Sequence, residues 1–176
     1  MPPVFVDIGA HRGQETGYAL SRGYEVYAFE PNPDTAQHLL EYQDRAFISY
    51  AAAWNADGFA PLYMNLNPAQ LGSSLYPEKS NVYKKMFIYV QTINFGQFLQ
   101  RLDRNIAVLK INAEGAEYKI LRSVLEHFDV HRIGKVWVED HSEQIQSEEW
   151  DHERHTILKA FPGKIILWTP KLLEEL

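Results

Sequence analysis

Asp7 stands where an apolar run stops, in the stretch VFVDIGAHRG (residues 4–13), and glycines follow it at positions 9 and 13. In an open parallel sheet, ligands sit beyond the carboxyl ends of the strands, so a glycine turn that leads from a strand into a helix points at a ligand. The start of that helix adds free N–H groups and positive potential. Two cofactor classes use such a turn. A dinucleotide needs G-x-G-x-x-G, in which the second glycine lets the backbone approach the pyrophosphate. His11 occupies that position here, and Asp7 places negative charge nearby. A nicotinamide-dependent oxidoreductase is therefore disfavoured. S-adenosylmethionine reverses both objections: an acid at the strand end attracts its ammonium, and the turn N–H groups suit its carboxylate. Glu30, at the end of the second apolar run, is spaced to accept from ribose hydroxyls.

These residues need elements to hold them. Residues 4–8 read as a buried strand, 14–21 as a helix stopped by Gly23, and 24–29 as a second strand. Asn32 or Asp34 caps a helix expected to run to about Tyr42, with Leu39 and Leu40 inward. Residues 46–50 form a third strand and 55–58 a turn. An exposed strand is expected at 59–66, a loop at 67–81, a strand at 86–93 and a short helix at 95–102. Alternation then resumes: strand 107–111, helix 116–128, strand 135–139, a helix around 148–160 and strand 165–168. The pattern predicts an α/β fold with an open, mostly parallel sheet and helices on both faces. The whole of 1–176 is expected to form a single domain, with a substrate-side insertion around 59–94.

Composition narrows the function. At 176 residues, with 45% hydrophobic and 13% aromatic residues, the chain can bury a substantial core. No apolar run approaches the ~20 residues of a membrane span, and MPPVFVDIG lacks the basic start of a signal peptide. There are no cysteines, hence no disulfides or thiolate metal sites, and a cytoplasmic location is expected. The net charge of -6 argues against a nucleic-acid partner and suits a small neutral or cationic substrate.

The blocks VFVDIGAHRGQET, VYAFEPNPDTAQHL, AAAWNADGFAPLY, LGSSL, VLKINAEGAEYKIL and VWVEDH, in that order, resemble the FkbM family of S-adenosylmethionine-dependent methyltransferases. The resemblance implies a class I, Rossmann-like methyltransferase fold and methyl transfer, usually to a hydroxyl oxygen of a sugar, polyketide or other small metabolite. Carried over by position, Asp7, Gly9, Ala10, His11 and Gly13 would line the methionyl end of the cofactor. Glu30 would hold the ribose, with Pro31 and Asn32 beside it, and Ala52, Ala53 and Trp54 would flank the adenine. Trp54 can stack on that base or belong to the core. Ser73 and Ser74 lie in the segment that resembles the family's substrate side. The fifth block departs from the family pattern, with Asn112 where an Asp is usual, at a position expected to touch cofactor and reacting groups. Asparagine hydrogen-bonds a hydroxyl but cannot take its proton.

A hydroxyl acceptor benefits from a base within hydrogen-bond reach. Glu114, in a glycine-containing turn past the strand 107–111, and His141, after the next strand, are the candidates. Glu114 can equally cap the following helix, and Glu117 reads as an acid favoured by the helix dipole. Lys110 is expected to form a buried ion pair with an acid such as Glu139. Asp140, His141, His152 and His155 give no compact ligand set, so no metal is expected. Two functions remain: an O-methyltransferase, or a cofactor-binding module with weakened or lost catalysis because of Asn112. The strand at 59–66 offers an edge either for a homodimer or for cover by the chain itself.

Overall fold

Every residue of strand β1 (Val4–Ile8) is buried, as expected of a parallel strand covered on both faces. The computed structural model describes residues 1–65, 72–145, 148–161 and 163–176. After β1 come helix α1 (Gln14–Ser21), β2 (Glu25–Phe29), α2 (Pro33–Ala36) and β3 (Phe47–Ser49). Then follow β4 (Ala52–Trp54), β5 (Gly58–Tyr63), β6 (Phe87–Asn94) and α3 (Phe95–Leu102). The chain closes with β7 (Ile106–Ile111), α4 (Glu117–His127), β8 (Ile133–Val138), α5 (Glu148–Ala160) and β9 (Ile165–Leu167).

Six strands form one parallel sheet in the order β3-β2-β1-β7-β8-β9. The chain runs outward from β1 to β3, then returns to the other side of β1 with β7, so the order reverses beside β1. Alternation along the strands divides the core. Val4, Val6 and Ile8 join α3, α4 and α5 on one face, while Phe5 joins α1 and the C-terminal turn around Leu172 on the other. Among the described residues no helix is long and apolar enough to cross a membrane.

Three local expectations change. The helix after Asn32 lasts one α-turn and tightens into a 3-10 segment, Gln37–Tyr42. The tighter winding leaves Leu39 buried and turns Leu40 out, 51% exposed. Ala52–Trp54, too short to signal a strand, is held as one by pairing parallel to β6. With β5, which pairs antiparallel to β6, it makes a second sheet in the order β4-β6-β5. Of the strand expected at 59–66, Leu66 lies outside the described residues, as do loop residues 67–71.

The joint between β6 and α4 is tight. Asn94 caps α3 by accepting from the Gln97 N–H, and Ser123 Oγ donates to Asn94 Oδ1 while accepting from the Gly96 N–H. A Cβ on Gly96 would lie 1.9 Å from the Ser123 carbonyl oxygen. Gly96→Ala is expected to cost about 1–3 kcal/mol of stability, measured by urea denaturation. An unchanged midpoint would show that the two helices can separate freely.

Candidate active site

The turn after β1 is held by its own amides. The N–H groups of Gly9 and Ala10 both donate to the Phe29 carbonyl, at 2.9 and 3.1 Å, and Gly13 N–H donates to the Ala10 carbonyl. His11 N–H donates to Glu30 Oε2 at 2.9 Å. These four amides are engaged within the turn, which corrects the expectation that they wait for a ligand carboxylate. Gly9 has φ +71° and a Cβ there would sit 1.8 Å from the Asn112 carbonyl oxygen, so only glycine lets β1 and β7 end this close together.

Asp7 also differs from expectation. It is fully buried and does not face the cavity. Its Oδ1 is 3.0 Å from Lys110 Nζ, and its Oδ2 accepts from Thr16 Oγ1 at 2.7 Å. Lys110 donates to the Gly9 carbonyl as well, at 3.0 Å. Burial pulls the Lys110 pKa down, but Asp7 and Glu15 outweigh it and hold the amine above its ordinary value, so it is a cation. The partner of Lys110 is thus Asp7 and not Glu139. Asp7 shapes the site by fixing a lysine that fixes the turn.

A cavity lies over the carboxyl ends of β1, β2 and β7, at the reversal of strand order, with about 700 Å³ of empty space including its open mouth. Ile8, Gly9, His11 and Phe29 lie toward the strand ends, Glu30, Pro31, Asn32 and Thr35 on one flank, and Asn112, Ala113, Glu114 and Ala116 on the other. Ala52, Ala53 and Leu62 of the second sheet and Gly72, Ser73 and Leu75 of the adjoining loop complete it. Glu30 is the charged feature of the first flank. Its Oε1 accepts from Asn32 N–H and its Oε2 from His11 N–H, each at 2.9 Å. Burial pushes its pKa up, and those two N–H groups, Thr35 and the Lys110 charge pull against that. A carboxylate can accept up to about four hydrogen bonds, so Glu30 retains capacity for a further donor.

Two more groups lack partners among the described residues. Asn32 Nδ2, a donor, and Asn112 Oδ1, an acceptor, are buried and unbonded, and both residues line the cavity. An unsatisfied buried polar atom costs about 1–3 kcal/mol, so a polar ligand that meets both is favoured.

Other expected site residues fall outside the cavity, for local reasons. Ala10 is packed against Ala28 and Leu39. Gly13, at φ +83°, starts α1, and a Cβ there would strike the Tyr42 ring at 2.6 Å. The Trp54 ring lies edge-on to Tyr76, with centroids 5.7 Å apart, and lines a second cavity with Tyr118 and Trp150. It therefore does not stack in the first. Ser74 is buried, donating to the Glu114 carbonyl at 2.6 Å and accepting from Tyr76 N–H. That hydroxyl ties the loop down, whereas neighbouring Ser73 stays on the cavity wall.

The acceptor-side candidates form a buried chain of charges. Lys79 Nζ is 2.6 Å from Glu114 Oε2, and it also donates to Asn81 Oδ1 and the Gly72 carbonyl. Glu114 Oε2 is 3.2 Å from His141 Nε2, and His141 Nδ1 is 2.8 Å from Glu117 Oε1. Glu117 in turn accepts from the Ala113 and Gly115 N–H groups. Burial lowers the His141 pKa, but Glu117 and Glu114 more than reverse this, and the net displacement is upward. Both ring nitrogens face carboxylates, an arrangement that favours the imidazolium form. With both nitrogens turned to carboxylates and the ring off the cavity lining, nothing points His141 at a substrate proton, unlike its expected role as a base. Sequence reasoning missed Lys79, because nothing in a Gly-, Ser- and Pro-rich loop marks one lysine for burial. It placed Glu117 in the first turn of α4, but its spacing to Glu114 does not show that the side chain folds back under the turn.

An open parallel α/β sheet with its cavity at the reversal of strand order defines a Rossmann-like ligand-binding fold. A family model described as the Methyltransferase FkbM domain matches residues 7–166. The chain belongs to the FkbM methyltransferase family. No curated protein matched the sequence.

Two measurements test this electrostatic description. Asp7→Asn leaves Lys110 charged and buried without its counter-ion, and should cost about 3–5 kcal/mol in urea denaturation. A loss below about 1 kcal/mol would mean that the pair contributes little. For His141, a folded pKa above the unfolded ~6.5 makes its stabilisation complete below that pH and lost as pH rises through the folded value. The stability gap between wild type and His141→Gln should be widest at about pH 6 and narrow as the pH rises through the folded value. A gap independent of pH would contradict a charged His141.

Proposed function

We propose that the chain transfers a methyl group from S-adenosylmethionine to a hydroxyl oxygen of a small acceptor. The observation that carries this reading is the donor-and-acceptor set of the cavity: the buried Glu30 carboxylate, the unbonded Asn32 amide nitrogen and the unbonded Asn112 amide oxygen. A carboxylate at the end of the second strand suits two neighbouring ribose hydroxyls. Pro31, Asn32, Ala52 and Ala53 then neighbour the adenine, and Gly9 and His11 lie toward the methionyl end. The sulfonium supplies an electrophilic methyl group when the cofactor is bound. Glu30 gives its wall an acid with no cation in direct contact among the described residues, which favours that sulfonium over a pyrophosphate.

The rest is the work of this chain's residues. Displacement at a methyl carbon needs the acceptor oxygen held in line and water kept out. The loop that carries Ser73 is suited to the second task, since Lys79 and Ser74 bolt it to the Glu114 turn. Asn112, which replaces the family's usual Asp, favours a second reading in which the chain binds cofactor with little turnover.

Calorimetry separates these from a nicotinamide enzyme. S-adenosylhomocysteine and S-adenosylmethionine should bind and NADH should not. Glu30→Gln should weaken S-adenosylhomocysteine about tenfold or more, since a charge-assisted hydrogen bond is worth about 1.5–3 kcal/mol. Binding of NADH alone, or an affinity unaffected by Glu30→Gln, would contradict the placement of the ribose.

A further inference from the structure

We propose that Glu139 takes the proton from the acceptor hydroxyl, and that Asn112 is a positioning residue that aims it. This assignment rests on the methyl-transfer reading above. Asn112 Nδ2 donates to Glu139 Oε2 at 2.7 Å across the ends of β7 and β8, and Asn112 itself lines the cavity. Glu139 Oε1 lies 4.0 Å from His141 Nε2, beyond hydrogen-bond distance. Glu139 is thus bracketed by Asn112 and by the His141 that Glu114 holds, two of whose neighbours, Asn112 and Glu114, face the cavity.

The other acids near the site are already engaged. Glu114 is paired with Lys79 and His141, Glu117 is fully buried beneath two N–H groups and His141, and Asp7 is bound to Lys110. Glu15, in the first turn of α1, lies within the field of Lys110. Glu139 is 44% exposed at its side chain, against 22% for Glu114, 5% for His141 and 0% for Glu117. Its hydrogen bond comes from the neutral Asn112 amide, whose residue lines the cavity, whereas Glu30, also held by neutral N–H groups, is assigned to the ribose. A base needs a free lone pair, and the long 4.0 Å contact with His141 leaves one on Glu139.

The pairing also explains the residue at 112. An Asp there would set two carboxylates 2.7 Å apart, and one would have to hold a proton. Asparagine instead donates one N–H to Glu139 and fixes its orientation. In the step itself, the acceptor oxygen bonds to the methyl carbon as the carbon–sulfur bond breaks. The bonding electrons go to sulfur, giving neutral S-adenosylhomocysteine, and the hydroxyl proton passes to Glu139.

The test uses S-adenosylhomocysteine formation from S-adenosylmethionine over a pool of methyl glycosides and polyols, alongside calorimetry with S-adenosylhomocysteine. Glu139→Gln should lower kcat about 100-fold or more while its S-adenosylhomocysteine affinity stays within about twofold of wild type. Asn112→Asp should also lose turnover near neutral pH. The exchange Asn112→Asp with Glu139→Gln restores one carboxylate hydrogen-bonded to one amide, and should turn over faster than either single variant. Glu139→Gln with wild-type kcat, or an exchange no better than the single variants, overturns the assignment alone. Wild type that binds S-adenosylhomocysteine but forms none from any of the pool overturns methyl transfer and this assignment together.

Discussion

A buried ammonium on β7 sets the geometry of this molecule. Lys110 carries its charge into the sheet, where an unpaired cation would be very costly, and its two contacts reach β1 and the turn beyond it. The cation thereby draws the ends of β1 and β7 together, to a separation at which position 9 must be glycine. From that turn, the Phe29 carbonyl and the Glu30 carboxylate take the next three amides, so β2 ends in register beside the opening. Around the cavity the sheet pairing of these three strand ends is reinforced by a buried ion pair and the turn amides.

The other side of the opening uses the same device. Lys79, Glu114, His141 and Glu117 alternate in sign, so the string is close to neutral although much of it is buried. Removing one member of such a string strands its neighbours, which gives it a rigidity that exposed ion pairs lack. It joins the loop of the second sheet to the turn before α4 and to the end of β8. The two charged assemblies flank a region lined by the Asn32 and Asn112 amides, the buried Glu30 side chain and Ser73.

Much of this architecture was legible in the sequence. Helices at 14–21, 95–102 and 148–160 fall where apolar spacing and caps place them. The main strands follow from continuous apolar runs, which is how a doubly covered parallel sheet announces itself. The glycine turn and Glu30 could be read because their spacing reflects a local backbone requirement. What could not be read is partner choice at long range. Asp7 and Lys110 are 103 positions apart, and Lys79 is far from both Glu114 and His141. A carboxylate at a strand end looks the same in sequence whether it faces a ligand or a lysine. Trp54 shows the same limit on a smaller scale, since a strand of three residues leaves its face undecided until its neighbour in the sheet is known.

The account turns on where the nucleoside lies relative to Glu30 and Asp7. A crystal structure of the protein with S-adenosylhomocysteine bound tests that directly. The ribose hydroxyls should rest on Glu30, between Asn32 and the turn at Gly9, with Asp7 still on Lys110 and out of reach of the ligand. A nucleoside lodged elsewhere, or an ammonium group bound by an Asp7 released from Lys110, would contradict it.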